Sequence, residues 1–166
     1  MEILRSFAPV VTPESRVLVL GTMPGVMSLE KQQYYGFPHN AFWRIMASLT
    51  NSGDVPADYN ERLEMLRHNG IALWDVCHTC RREGSLDSRI CDEAPNDIAG
   101  LLTAYPAIHA LAFNGGPAFR LFRKHIGLSA IGEGRAVLQL PSTSPANASW
   151  SYERKLAAWK ELKKWL

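Results

Sequence analysis

The chain has 166 residues, 46% of them hydrophobic and 20% charged, which fits one globular domain with a full core and argues against a disordered or fibrous protein. Its formal net charge of +2 is too small to announce a nucleic-acid partner, and no uninterrupted apolar run is long enough to cross a bilayer. Met1-Glu2-Ile3-Leu4-Arg5 lacks the basic-then-apolar layout of a secretion signal, so a cytoplasmic protein with no membrane partner is expected.

The first predicted element is an apolar run, Arg16–Thr22, whose Val17-Leu18-Val19-Leu20 centre reads as a strand buried on both faces. It ends in Gly21-Thr22-Met23-Pro24-Gly25. An open α/β sheet binds its ligand just beyond such strand ends. Tyr34 and Tyr35 follow, then Phe37-Pro38-His39-Asn40-Ala41-Phe42-Trp43. Flat apolar rings beside the hydrogen-bonding groups of His39 and Asn40 suit a planar ligand with polar edges, such as a nucleobase.

Helical periodicity predicts helices over Asn40–Leu49 and Tyr59–His68, and the next buried strand is Gly70–Val76. Thr79–Asn96 is the longest stretch without clear periodicity. A helix over Pro95–Tyr105, a strand over Ala107–Phe113, a helix over Pro117–His125, a strand over Ala136–Leu140 and a helix over Tyr152–Leu166 complete the chain. This order predicts a single domain over residues 1–166, a three-layer α/β/α sandwich around a four-stranded, mostly parallel sheet.

Three cysteines, an odd set in a chain expected to be intracellular, argue against a disulfide framework. Cys77-His78-Thr79-Cys80 has CxxC spacing, but only Cys91 and His78 lie near enough in sequence to complete a metal site. The favoured reading is small buried hydrophobes with no metal. Arg120, Arg123, Lys124 and His125 cluster, and Arg154, Lys155, Lys160, Lys163 and Lys164 load the terminal segment. Such charges can neutralise phosphates, yet a lysine-rich helix is more often a solvated face.

In a parallel sheet all carboxyl ends share one rim, so the loops after the four strands converge. Those loops read Gly21–Gly25, then Trp74-Asp75-Val76 with Glu83–Ser88 beyond, then Phe113-Asn114-Gly115-Gly116, then Leu140-Pro141-Ser142-Thr143-Ser144-Pro145-Ala146-Asn147. The ordered set GTMPG, YYGFPHNAFW, AFNGG and LPSTSPANA resembles the uracil-DNA glycosylase superfamily. GTMPG is similar to the GINPG loop of mismatch-specific uracil/thymine-DNA glycosylases. The full set, with WDV and REGSLDS between, resembles most closely the hypoxanthine-DNA (deoxyinosine) glycosylase branch over roughly residues 16 to 160.

The resemblance implies base excision repair: hydrolysis of the N-glycosidic bond of a deaminated base, hypoxanthine first, by a monofunctional glycosylase that flips the nucleotide and leaves an abasic site. It implies damaged DNA, double- or single-stranded, as partner, and no cofactor. Met23 stands where relatives that activate water carry Asp, Glu or Asn, and a thioether cannot polarise water. The final loop also lacks the histidine many uracil glycosylases use. The resemblance transfers the key polar role to Asn40, whose alternative is a helix N-cap. Gly21, Thr22, Met23 and Pro24 would wall the base pocket, Tyr35 would stack on the base, and Asn114 would read its edge or serve as a turn residue. Ser142, Thr143 and Ser144 would hold phosphates, Pro145, Ala146 and Asn147 would wedge into the stack, and His39 would contact DNA. Asp75 and Asp87 receive no chemistry at this level. The alternatives are a mismatch-specific uracil/thymine-DNA glycosylase and a catalytically silent nucleic-acid-binding module on the same fold.

Overall fold

In chain order the computed structural model, which describes residues 1–166, begins with strands β1 (Leu4–Arg5) and β2 (Val17–Gly21). Helices α1 (Val26–Lys31), α2 (Phe42–Thr50) and α3 (Tyr59–His68) follow, then β3 (Ile71–Asp75), β4 (Cys77–Arg81) and β5 (Cys91–Pro95). The remainder is α4 (Ile98–Ala104), β6 (Ala110–Asn114), α5 (Gly116–His125), β7 (Ala136–Leu140) and α6 (Tyr152–Trp159). The main sheet has the order β3-β2-β6-β7 with every neighbouring pair parallel, and helices cover both faces, as predicted.

The strands read as unbroken apolar runs because alternate residues enter two separate cores. Val17 and Val19 pack with Phe42, Ile45, Met46, Leu66 and Trp159 from α2, α3 and α6. Leu18 and Leu20 face the other way, against Ile98 and Leu102 of α4 and Phe122 of α5. The chain passes from β2 to β3 on one side and then crosses to β6 on the other. That reversal opens a crevice above the carboxyl ends of β2 and β6.

Several elements depart from the sequence reading: α2 starts at Phe42 rather than Asn40, and α4 at Ile98 because Pro95 ends β5. Thr79–Asn96 is not simply irregular, since β4 and β5 pair antiparallel with each other and β4 with β1. These strands are short and polar, their register shifts at Thr79, and β1 comes from the far end of the chain, so no local periodicity announces them. Helix α1 is too brief to show a hydrophobic face. Strand β6 starts at Ala110, because Ile108 N–H donates to the Tyr105 carbonyl at 3.1 Å and closes a turn over Pro106-Ala107. Helix α6 stops at Trp159 and tightens into a 3₁₀ run, Lys160–Trp165.

Phe122 is fully buried and meets Phe113 edge-on at 5.2 Å, on the face of the sheet that carries none of the loops described below. Phe122→Ala is expected to lower stability by about 3–5 kcal/mol. Urea unfolding should show a reduced midpoint with an unchanged slope.

Candidate active site

A cavity of about 360 Å³ sits over the carboxyl ends of the parallel strands, at the small end of the range for ligand pockets. Strand β2 delivers Gly21, Thr22, Met23 and Pro24 to its wall, β3 delivers Asp75, β6 delivers Asn114, and the loop after β7 delivers Ser142, Thr143, Ser144, Pro145 and Ala146. Tyr35 and Asn40 enter from the connection between α1 and α2, and Ser85, Leu86 and Asp87 from the connection between β4 and β5. Residues that are remote in sequence therefore share one hollow.

Asn114 ties three of these segments together. Its Nδ2 donates to Tyr35 Oη and to Thr143 Oγ1, both at 3.0 Å, and its Oδ1 accepts from Thr143 N–H at 2.9 Å. Both amide protons are thus committed inside the protein. A role in reading a ligand edge is left to the second lone pair of Oδ1. The Tyr35 hydroxyl accepts from Asn114, and burial raises its pKa further above the ordinary phenol value. The Tyr35 ring lies flat on Phe42 at 4.1 Å and 18°. Its backbone is left-handed, with φ of 51°, a conformation costly for an aromatic residue and held here by the stack and the clamp.

Asn40 lies just ahead of α2 and lines the cavity. Its Oδ1 accepts from Phe42 N–H at 3.0 Å in a side-chain turn leading into α2, whose N-cap position falls on Ala41 rather than on Asn40. Its Nδ2 has no partner within the protein and belongs to a residue lining the cavity, which leaves two donors for a ligand or a water. Next to it, Ala41 N–H donates to the Thr143 carbonyl at 3.0 Å, fixing α2 against the serine loop.

That loop is rigid from within. Ser144 N–H donates to Ser142 Oγ, Ala146 N–H to Ser144 Oγ, and Asn147 Nδ2 to the Ser142 carbonyl. From behind, the Trp159 indole donates to the Pro141 carbonyl, and the buried Lys155 ammonium donates to the Ser144 carbonyl at 3.0 Å. Pro145 and Ala146 stand exposed at the tip. Asn147 lies outside the cavity, in an adjoining groove of about 420 Å³ that runs to Trp150. His39 is outside both hollows, exposed on the rim with its ring against Phe37 at 5.3 Å.

Met23 lines the cavity at 6% exposure and packs on Cys77 and Cys80 of β4. Burial pushes the Cys77 thiol up to about 12, so it remains protonated. The CxxC pair thus forms an apolar cushion under the first loop.

Sequence reasoning missed two carboxyl groups. Asp87 accepts from Thr22 Oγ1 at 2.6 Å, and its pKa is raised by burial. Asp75 is 5% exposed, and its Oδ2 is fully buried with no hydrogen-bond partner. Burial first, and the charge of Asp87 second, push its carboxyl up to about 7, against a smaller downward pull from Arg82. Arg82 itself donates to the Pro24 and Gly84 carbonyls and holds the first loop down. Gly21 pairs with Asp75 across the sheet, and a Cβ there would lie 2.5 Å from Asp75 Oδ1. The position of an aspartate at the carboxyl end of a buried parallel strand was the available signal.

The family model described as the uracil DNA glycosylase superfamily matches residues 8–163. A Methanosarcina acetivorans protein named hypoxanthine DNA glycosylase is 39% identical over 155 residues, covering 92% of this chain and 93% of its own length. A Methanosarcina barkeri protein of the same name is 40% identical over 111 residues, covering 67% and 70%. The solution NMR structure of a Methanosarcina acetivorans protein described as a candidate uracil DNA glycosylase superposes with a TM-score of 0.78 at 36% identity, covering 98% of this chain and 99% of that one.

The raised Asp75 pKa has a defined effect on stability. Between the ordinary value of 3.8 and about 7 the folded chain holds a proton that the unfolded chain has lost, so stability falls as pH rises through that window and levels off above it. Asp75→Asn removes this dependence. The melting temperature of the variant relative to the parent is expected to climb between about pH 4 and pH 7 and then stay constant, as thermal melts across that range will show.

Proposed function

Because this chain belongs to the uracil DNA glycosylase superfamily, we propose that it is a DNA-repair glycosylase that excises deaminated bases, hypoxanthine foremost, and leaves an abasic site. A base inside a duplex is out of reach of any pocket, so the nucleotide is flipped into the cavity. Damaged DNA in double- or single-stranded form is the partner. No helix is long and apolar enough to cross a membrane, and a cytoplasmic location belongs to the same proposal.

The observation that carries the reading is the pairing of an apolar Met23 with the free amide donors of Asn40 on the cavity wall. As the glycosidic bond breaks, positive charge grows on the sugar and negative charge on the base. Asn40 Nδ2 is placed to donate to the leaving base or to orient the attacking water, in an enclosure that strengthens such contacts. Tyr35, backed by Phe42, supplies the flat surface for the flipped purine. Backbone and hydroxyl groups of Ser142, Thr143 and Ser144 meet the flanking phosphates, and exposed Pro145 and Ala146, with Asn147 behind them, enter the vacated stack. His39 on the rim contacts the DNA backbone.

Oligonucleotides carrying hypoxanthine, uracil or xanthine, incubated with the protein and then cleaved at abasic sites, test the assignment. Hypoxanthine release should dominate; a clear preference for uracil would refute it. In the same assay Asn40→Ala is expected to slow cleavage at least tenfold, about 1.4 kcal/mol of barrier, while a gel shift shows DNA binding nearly intact.

A further inference from the structure

Asn40 leaves one requirement of the proposed reaction unmet. An amide orients water and donates hydrogen bonds, but it has no proton to surrender near neutral pH. A departing purine is stabilised most when a proton reaches its ring as the bond to the sugar breaks, which calls for a positioned acid. Among the groups lining the cavity, Tyr34 and Tyr35 are held as phenols far above neutrality by burial, and Asp87 is engaged by Thr22. Asp75 alone is unengaged.

The surroundings of Asp75 suit an acid rather than a strut. No hydrogen bond ties its side chain to the fold, and its buried Oδ2 has no partner at all. An ionised carboxylate left in that state costs several kcal/mol, so the neutral acid is the favoured form. The groups that bear on it are Asp87 from the connection between β4 and β5, Arg82 at the end of β4, Tyr34 and Tyr35 ahead of α2, and Cys77. Asp87 favours the protonated form, and Arg82 opposes it more weakly. Gly21 is the neighbour across the sheet, and only a residue without Cβ leaves the carboxyl its space.

Resting on the glycosylase reading, we propose that Asp75 is the general acid of the reaction and protonates the flipped purine as its bond to the sugar breaks. The Asp75 O–H proton passes to N7, which carries a lone pair in hypoxanthine. The C1′–N9 electron pair moves onto N9, and the base leaves as a neutral molecule. Water adds to C1′ and gives its surplus proton to solvent, and solvent reprotonates Asp75. Asn40 and Asp75 thereby divide the chemistry: one holds, the other delivers.

Single-turnover release of hypoxanthine from a deoxyinosine duplex, measured as a function of pH, tests this. The parent rate should fall tenfold per pH unit above about 7. Asp75→Asn should be slower by about a hundredfold or more at pH 6 and should lose the alkaline fall, with duplex affinity unchanged. Asn40→Ala should lower the rate at every pH and keep the fall. If Asp75→Asn retains near-parental rates, the residue only offers hydrogen bonds, which an amide of the same shape reproduces, and the proposal is overturned. A slowed Asp75→Asn variant that still shows the parental alkaline fall overturns it equally. Failure of the parent chain to release hypoxanthine at any pH would instead remove the glycosylase reading, and this assignment with it. A cooperative thermal melt of Asp75→Asn, by the measurement described above, separates loss of the acid from loss of the fold.

Discussion

Three hydrogen bonds from one amide hold the cavity in shape. Asn114 stands at the end of β6 and reaches Tyr35 on one side and both the backbone and the hydroxyl of Thr143 on the other. That clamp couples the aromatic floor directly to the serine loop. With it, Tyr35 is kept in a left-handed backbone that its side chain disfavours, and the loop after β7 is pinned where it closes the hollow. Ala41 completes the arrangement by tying the start of α2 to the same Thr143. Buried hydrogen-bond networks of this kind rigidify a site.

The parallel sheet makes the clamp possible. Four strands running the same way place Gly21, Asp75, Asn114 and the Pro141 corner on one rim, and the reversal of strand order between β2 and β6 leaves space there. Two apolar cores, one on each face, hold the strand ends in register. The small antiparallel sheet of β1, β4 and β5 adds a second support. It carries Arg82, which fastens the Pro24 carbonyl, and Cys77 and Cys80, on which Met23 rests.

Against this background Asp75 is an exception to ordinary packing. A buried carboxyl oxygen without a partner weakens the fold at neutral pH, whereas an amide at the same place would not ionise. Proteins keep such features where chemistry uses them. The glycine opposite it and the arginine beside it make the same point: space and charge around the carboxyl are managed, yet the carboxyl is left unpaired.

Much of the molecule is legible in the sequence. Val17–Leu20, Ala72-Leu73 and Leu111-Ala112-Phe113 announce buried strands by unbroken apolar character, and strand direction then dictates that their loops converge. The motifs that carry the family resemblance mark Tyr35, Asn40, Asn114 and the serine loop as neighbours, and these do share one cavity. The pairing of β1 with β4 was invisible, because it joins short polar segments far apart in the chain and follows no local period. So was the state of each polar group. Whether Asn114 reads a ligand or clamps a loop, and whether Asp75 is paired or orphaned, depends on which atoms stand within hydrogen-bond reach. Residue types and their order determined the fold and the identity of the rim; burial and partnership, which exist only once distant segments meet, decided what each rim residue is free to do.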